Sequence, residues 1–240
     1  MIQVLPVEGL PEIQAADDLA ALIAEAAELE DGDVVCVAHK VVSKAEGRVL
    51  RLEEIEPSPH AHELAGRDGD PRRLEVVLRE ATRILRSRPP LVIAETQHGF
   101  VCASAGVDAS NAPPDSVVLL PEDPDASAAR LRDELQQRAG RSVGVVVTDT
   151  FGRAWRVGIA NVAIGSAGIE VLRDLRGERD PAGYELHSTV IALADEIAAA
   201  AELVMGKTER VPVAIVRGLA VAGEGRAAEL IMPAELDLFR

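Results

Sequence analysis

Acidic and hydroxyl side chains follow two apolar segments of the sequence, at positions where they could bind a cation. Asp108 stands in the loop "AGVDASNAPPDS" after the run "FVCASA", and Asp149 and Thr150 end the run "VGVVVTDT". Ligand-binding groups collect where strands end, because the strand fixes the backbone while the loop exposes the side chain. Carboxylate and hydroxyl oxygens suit Mg²⁺ or Mn²⁺, whereas the scattered histidines lack zinc spacing. An alternative stays open for each aspartate, since Asp also forms turns with its own backbone.

Basic residues form a second set of candidates. Only three of the 25 basic residues are lysines, and two of them, Lys40 and Lys44, share the segment "HKVVSKAEGR". Its charges at 44, 46 and 48 alternate beside a predicted strand, so Lys44 is either a phosphate-binding residue or a charge on a solvent-facing edge. Arg153 in "TFGR" is close enough in sequence to reach the opening beside the second acidic segment. No GxxxxGK[ST] or GxGxxG motif is present, which excludes a P-loop and leaves a dinucleotide-binding fold without support.

Composition limits the class of protein. No apolar run of this 240-residue chain reaches the roughly 18 residues that a membrane span needs. The net charge of −15 disfavours nucleic-acid binding, and an anionic ligand would need local cations or metal ions. Met1 leads directly into a strand-like segment, so we expect a cytoplasmic protein without a signal peptide. Cys36 and Cys102 stand inside apolar runs and are expected to be buried thiols.

Hydrophobic patterning predicts a mixed α and β chain that positions these residues. Strands are predicted at 2–7, 34–38, 116–120, 143–150 and 211–219, and "LVIAET" and "FVCASA" form a hairpin across "QHG". Helices are predicted after Asp17 or Asp18 and at about 74–87, 126–139 and 193–205, whereas residues 53–73 are expected to form a loop or a broken helix. The expected fold is α+β in a single domain, residues 1–240, with no internal repeat.

Six segments, in this order along the chain, carry a resemblance to a known family. They are "LPVEGLPEI", "VVSKAEGR", "AGVDASN", "VVTDTFGRAWR", "ADEIAAAAELVMGK" and "VAIVRGLAVAGEG". The match that they belong to covers the chain from Ile2 to about Gly225. This set resembles the coenzyme F420 γ-glutamyl ligases. The resemblance implies a GTP-dependent enzyme that adds L-glutamate to coenzyme F420-0 through an acyl phosphate, releasing GDP and phosphate. It also implies mixed sheets with flanking helices in an intertwined homodimer, and a single ligase domain without the nitroreductase-like domain of some bacterial relatives.

The resemblance assigns roles to matching residues. It makes Asp108 and Asp149 ligands of a divalent metal and Thr150 a ligand of a second, with Mg²⁺ or Mn²⁺ as the ions and K⁺ as a candidate monovalent ion. Lys44 and Arg153 are expected to act on the phosphates as catalytic residues. The implied nucleotide contacts are Leu10, Pro11, Glu12, Ile13, His39, Lys40, Lys44 and Asn111, and the loop "MGKT" at 205–208 is expected to border the nucleotide.

Some questions stay open at the level of the sequence. Relatives carry Ser where this chain has His39, so a backbone contact there would survive the change and a hydroxyl contact would not. The sequence does not identify the base that accepts a proton from the glutamate amine, and Glu46 and His39 are no more than candidates for it. The alternatives to the expected activity are a ligase for a different carboxylate, a non-catalytic nucleotide-binding protein, and a phosphohydrolase.

Overall fold

The computed structural model describes residues 1–238, which form twelve strands and six α-helices. The strands are β1 (Gln3–Pro6), β2 (Val34–Ala38), β3 (Val49–Arg51), β4 (Ala81–Arg88), β5 (Leu91–Thr96), β6 (Val101–Ala103), β7 (Ser116–Val118), β8 (Gly144–Arg153), β9 (Arg156–Ala167), β10 (Leu172–Asp174), β11 (Val190–Ala192) and β12 (Val213–Arg217). The helices are α1 (Leu19–Ala26), α2 (His39–Ala45), α3 (Pro59–Ala65), α4 (Pro71–Glu80), α5 (Pro124–Ala139) and α6 (Leu193–Met205). Within residues 1–238, no helix is both long and apolar enough to cross a membrane.

A five-stranded mixed sheet forms the centre of the molecule. Its strand order is β1-β12-β2-β8-β9, and only the β2–β8 pair is parallel. Alternate residues of β2 face opposite sides, so that Val35 packs with α1 and α5 while Val34 packs with α6. Because helices cover both faces of this sheet, β2 and β8 need apolar residues at consecutive positions, as the sequence shows.

A second, smaller core lies beside the central sheet. Helices α3 and α4 pack against β5 and β7, around residues such as Leu64, Val77 and Val92. The strands of this part form a three-stranded sheet, β4-β5-β6, and a pair, β3-β7. The backbone of Asp108 bonds to that of Val118 in β7 through both its N–H (3.0 Å) and its carbonyl (2.8 Å). This core therefore holds the loop that carries Asp108.

Most of the predicted elements are confirmed. The fold is mixed α+β, with several sheets and flanking helices, and α6 occupies the predicted residues up to Gly206. The hairpin of β5 and β6 pairs Ile93 with Ala103, as expected across "QHG". Cys36 and Cys102 are buried free thiols, and burial raises the pKa of each to about 12.

The helix predicted at 74–87 is wrong in its second half. Helix α4 ends at Glu80, and residues 81–88 form β4, which pairs with β5. The pairing has two register shifts, one between Ala81 and Arg83 and one between Ile84 and Arg86. Each irregularity interrupts the two-residue alternation of a strand, so the apolar residues recur at a spacing that resembles a helical one.

Two further local predictions need correction. The segment "HKVVSKA", whose charges were expected to alternate beside a strand, is the helix α2. Strand β8 does not end at Asp149 and Thr150 but continues to Arg153, because it forms a long hairpin with β9. Both corrections change which way the candidate side chains point.

Candidate active site

One large cavity, of about 820 Å³, opens where the parallel strands β2 and β8 come together with α2. Ala38, the last residue of β2, lies opposite Thr148 in this pair, so the segments that follow both residues border the same space. The cavity gathers all but one of the predicted site residues: Leu10, Pro11, Glu12, Ile13, His39, Lys40, Lys44, Asp108, Asn111, Asp149 and Thr150. Six separate segments of the chain contribute to its wall, which no local sequence pattern specifies.

Asp108 makes a turn and also faces the cavity. Its Oδ1 accepts a hydrogen bond from the Ser110 backbone N–H (2.7 Å), and its Oδ2 lies 2.6 Å from Lys40 Nζ. Burial raises the pKa of this carboxyl, but the bonds from Lys40 and Ser110 outweigh burial and hold the pKa below its ordinary value. The turn and the cation-binding interpretations are therefore compatible, since one oxygen closes the turn while the other meets a positive charge.

Asp149 is the more buried of the two carboxylates. Its Oδ1 accepts a hydrogen bond from the Thr150 backbone N–H (2.6 Å) and lies 3.3 Å from Nε2 of His39. Burial raises the pKa of Asp149, but His39 and the Thr150 N–H lower it by more than burial raises it. The pKa of Asp149 therefore lies below its ordinary value. The charge of Asp108, which lines the same cavity, opposes this lowering of the Asp149 pKa.

Each predicted metal-binding oxygen meets a nitrogen from a basic side chain. Lys40 contacts Asp108, the imidazole of His39 lies beside Asp149, and Lys207 donates a hydrogen bond to the Thr150 hydroxyl. Among the described residues, no three Asp, Glu, His or Cys side chains converge closely enough to hold an ion by themselves. The donor set nevertheless fits Mg²⁺ or Mn²⁺, because such ions use one or two carboxylates and take their remaining ligands from water and substrate phosphates.

Lys44 is buried in the wall of the cavity. Only 9 % of its side chain is exposed, and its Nζ lies 2.5 Å from Oε1 of Glu12, whose side chain is 72 % exposed. The interpretation of Lys44 as a charge on a solvent-facing edge is therefore wrong. The ion pair connects α2 to the turn formed by residues 10–13. The amine of Lys44 therefore has one partner, an exposed carboxylate, and lines the cavity.

The loop that carries Asp108 has an unusual backbone. Ser104, Ala105 and Gly106 have consecutive positive φ angles of 53°, 49° and 74°, and Asn111 has a φ of 55°. A Cβ atom at Gly106 would lie 2.6 Å from Cγ of Leu120, so only glycine fits there. Asn tolerates the left-handed region better than most residues do, which accounts for its use where the loop turns toward the cavity.

Arg153 and Glu46 do not lie at this site. Arg153 is not among the residues that line the cavity, and its Nη2 donates to the Val157 carbonyl (3.2 Å) inside the β8–β9 hairpin. The extension of β8 carries Arg153 past the cavity, which the expected strand end at Asp149 would not have done. Glu46 instead binds Arg130 (2.5 Å) and the hydroxyl of Ser127 (2.6 Å), outside the cavity.

Other cavity residues were not predicted. Asn161 in β9 is buried, lies opposite Thr150 in register, and accepts a hydrogen bond from its hydroxyl (2.7 Å). A lone amide inside the small apolar segment "NVAIGSAG" was the available signal for it. Lys207 and Thr208 belong to the "MGKT" segment that was expected to border the nucleotide, and they line the cavity together with Glu202 and Arg210, which were not predicted.

The protein is therefore of the α+β class, and carboxylates and lysines of separate segments converge on one cavity. The chain belongs to the F420-0:gamma-glutamyl ligase family, whose sequence model matches residues 9–218. It is therefore a ligase that joins an acid to an amino acid.

Several similar proteins match along the whole chain. The chain is 52 % identical to the coenzyme F420:L-glutamate ligase of Methanopyrus kandleri over an alignment of 246 residues, which covers 100 % of this chain and 98 % of that protein. It is 46 % identical to the protein of the same name from Archaeoglobus fulgidus, covering 100 % and 96 %. The corresponding identity to the Methanothermobacter thermautotrophicus protein is 45 %, covering 100 % and 99 %.

Proposed function

We propose that this ligase adds L-glutamate to coenzyme F420-0 with GTP as the energy source. The relatives that match over the whole chain are named coenzyme F420:L-glutamate ligase. The observation that carries the proposal is the cavity, because five of the six segments by which the sequence resembles this family meet there and bring acidic and cationic side chains together. An anionic nucleotide could bind to this acidic chain only at such a local cationic cluster.

The proposed reaction has two steps. A carboxylate is a poor acyl donor, because its oxygen is a poor leaving group. In the first step a carboxylate oxygen of F420-0 attacks the γ-phosphorus of GTP, the bond from that phosphorus to GDP breaks, and an acyl phosphate forms. In the second step the glutamate amine attacks the acyl carbon, inorganic phosphate leaves with the bonding electrons, and the amine loses a proton to give the amide.

The side chains of the cavity divide the work of the first step. Asp108, Asp149 and Thr150 would hold up to two divalent ions, with K⁺ as a further candidate, and such ions reduce the repulsion between phosphate and carboxylate. Lys44 and Lys40 would donate hydrogen bonds to phosphate oxygens, where negative charge accumulates during transfer. The turn at Leu10, Pro11, Glu12 and Ile13, together with Asn111 and the backbone at His39, would contact the rest of the nucleotide.

We also propose that two copies of the chain assemble as a homodimer through the tip of the β8–β9 hairpin. Trp155, Val157 and Ile159 are 81 %, 100 % and 61 % exposed, in a chain that has few aromatic residues. Such a concentration of exposed apolar side chains is typical of an interaction surface. Ile159 also lines the cavity, so a partner seated there would lie beside the active site. Val157→Asp should convert the dimer to a monomer in sedimentation analysis, and a wild-type monomer would contradict this proposal.

Mass spectrometry of the reaction products tests the activity. F420-0 incubated with the protein, glutamate, GTP and Mn²⁺ or Mg²⁺ should gain glutamyl residues, and this gain should require GTP. Asp149→Asn should abolish the gain, whereas Asp174→Asn, the same change in an exposed Arg176 ion pair outside the cavity, should preserve it. A product with another carboxylate but none with F420-0 would indicate a ligase of different substrate, and GTP hydrolysis alone would indicate a phosphohydrolase.

A further inference from the structure

His39 is a buried histidine whose side chain has no role in the proposed reaction. It is the first residue of α2, its exposed fraction is 2 %, and it lines the cavity. Its Nδ1 lies 3.4 Å from the Ser43 hydroxyl, one helical turn further on. Among the described residues, its Nε2 is one of two buried side-chain nitrogens or oxygens without a hydrogen-bond partner, the other being Nδ1 of His98.

The unpartnered nitrogen points at a carboxylate. Nε2 of His39 is 3.3 Å from Oδ1 of Asp149, but the two atoms do not have hydrogen-bond geometry. The same oxygen, Oδ1 of Asp149, accepts a hydrogen bond from the Thr150 backbone N–H at 2.6 Å. Buried polar atoms in native proteins nearly always have a partner, so an exception indicates a partner from outside the protein, either a water molecule or an ion.

The spacing of these two atoms fits a shared metal ion. Nitrogen and oxygen ligands bind divalent ions of this size at about 2.1 Å, and two ligands at a right angle are then about 3 Å apart. The observed 3.3 Å is within a small side-chain adjustment of that distance. Ser43 supports the same arrangement, because a metal-binding histidine usually donates its other ring N–H to a nearby oxygen, which fixes the ring.

We propose that His39 Nε2 and Asp149 Oδ1 bind the same divalent ion, so that this chain adds an imidazole ligand to the metal site. The inference rests on the metal site of the proposed function and gives that site a preference for one ion over another. Mg²⁺ favours oxygen ligands, whereas Mn²⁺ belongs to the first-row transition metals, whose divalent ions also bind sites that contain nitrogen ligands. The site should therefore select Mn²⁺ over Mg²⁺ more strongly than two carboxylates and a hydroxyl would.

Electron paramagnetic resonance of bound Mn²⁺ tests this directly and without turnover. The protein is labelled with ¹⁵N-histidine, loaded with Mn²⁺ alone, and examined for hyperfine coupling between the ion and a histidine nitrogen. Coupling is expected in the wild type and should disappear in His39→Gln. His98→Gln is the matched control: His98 is also a histidine with an unpartnered ring nitrogen, but its Nε2 lies 3.0 Å from the carbonyl oxygens of Pro121 and Glu122, outside the cavity.

Metal affinities give a second measurement. Loss of the imidazole should weaken Mn²⁺ binding by about tenfold or more, and should weaken Mg²⁺ binding much less. Equal losses for the two ions would overturn the proposed selectivity. Mn²⁺ bound to the wild type without histidine coupling would overturn the ligand assignment even if every variant failed to fold.

The same titrations separate this inference from the proposed function. If Asp149→Asn removes Mn²⁺ binding while the wild type shows no histidine coupling, the metal site stands and the imidazole ligand is wrong. If Asp149→Asn leaves Mn²⁺ binding unchanged, the proposed metal site itself is wrong, and the assignment of His39 fails with it.

Discussion

Replacement of Lys44 by methionine separates a phosphate-binding lysine from a structural one. The Lys44 side chain is 9 % exposed and lines the cavity, so methionine keeps most of its packing while removing the charge. Under the proposed function the amine donates a charge-assisted hydrogen bond to a phosphate oxygen. Loss of such a bond costs about 1.5–3 kcal/mol, which corresponds to roughly a 10- to 150-fold weaker Kd for GTP.

The effect of the same change on stability should be small. The partner carboxylate, Glu12, is 72 % exposed and can be solvated once the amine is gone. Ion pairs with one exposed partner contribute at most about 1 kcal/mol, and for a chain of this length that is a change in Tm of roughly 2–4 °C. A large loss of affinity with a small loss of stability is therefore the expected combination.

Isothermal titration calorimetry with GTP and with guanosine is the decisive assay. Guanosine lacks phosphates, so Lys44→Met should leave the affinity for guanosine unchanged and should weaken the binding of GTP. Equal weakening of both ligands would show that Lys44 acts by holding the turn at residues 10–13 in place. An unchanged affinity for GTP in a folded variant would refute the phosphate contact altogether.

Three further predictions follow from the structure. Asp108→Asn and Asp149→Asn should each raise the Mn²⁺ concentration needed for ligase activity, and the double variant should lose less than the sum because the two act as one unit; a wild-type metal dependence would leave Asp108 as a turn residue only. Gly165→Ala should lower the free energy of unfolding by about 1–3 kcal/mol in urea, because its Cβ would overlap the Pro124 carbonyl at the start of α5, whereas Gly152→Ala should be neutral because no atom lies within 4 Å of its Cβ. The side chain of Arg72 holds the pKa of Asp70 below its ordinary 3.8, so the charge of Asp70 stabilises the fold fully above pH 3.8 and less as the pH falls through the lowered pKa. The difference in unfolding free energy between the wild type and Asp70→Asn should therefore shrink over that acid range. A difference that stays constant with pH would contradict the ion pair.

The sequence predicted those elements whose local pattern is uninterrupted. Strands β2 and β8 are continuous apolar runs because helices cover both faces of the central sheet, and α6 combines an apolar face with Gly206 at its end. Strand β4 was missed because its bulges imitate helical spacing. Strand β4 could not be predicted locally, because its bulges exist only in its pairing with β5.

The candidate site was predictable by residue identity and much less by environment. The resemblance identified eleven residues that line one cavity, but nothing local indicates that Lys44 is buried against a turn 32 residues away in sequence. Arg153 was misplaced for a related reason. Its position depends on how far β8 continues, and that is set by pairing with β9. Asn161 reaches Thr150 only through the same register.

The charge balance of the cavity connects these observations. Two carboxylates that repel each other lie in the wall of a cavity in a chain of net charge −15, and each has a basic side chain beside it. Under the proposed function, a divalent ion at these carboxylates would take over the compensation that Lys40 gives Asp108. The amine of Lys40 would then be available to a phosphate in the same cavity. We therefore expect metal and nucleotide each to increase the affinity for the other, because each brings the charge that the other needs.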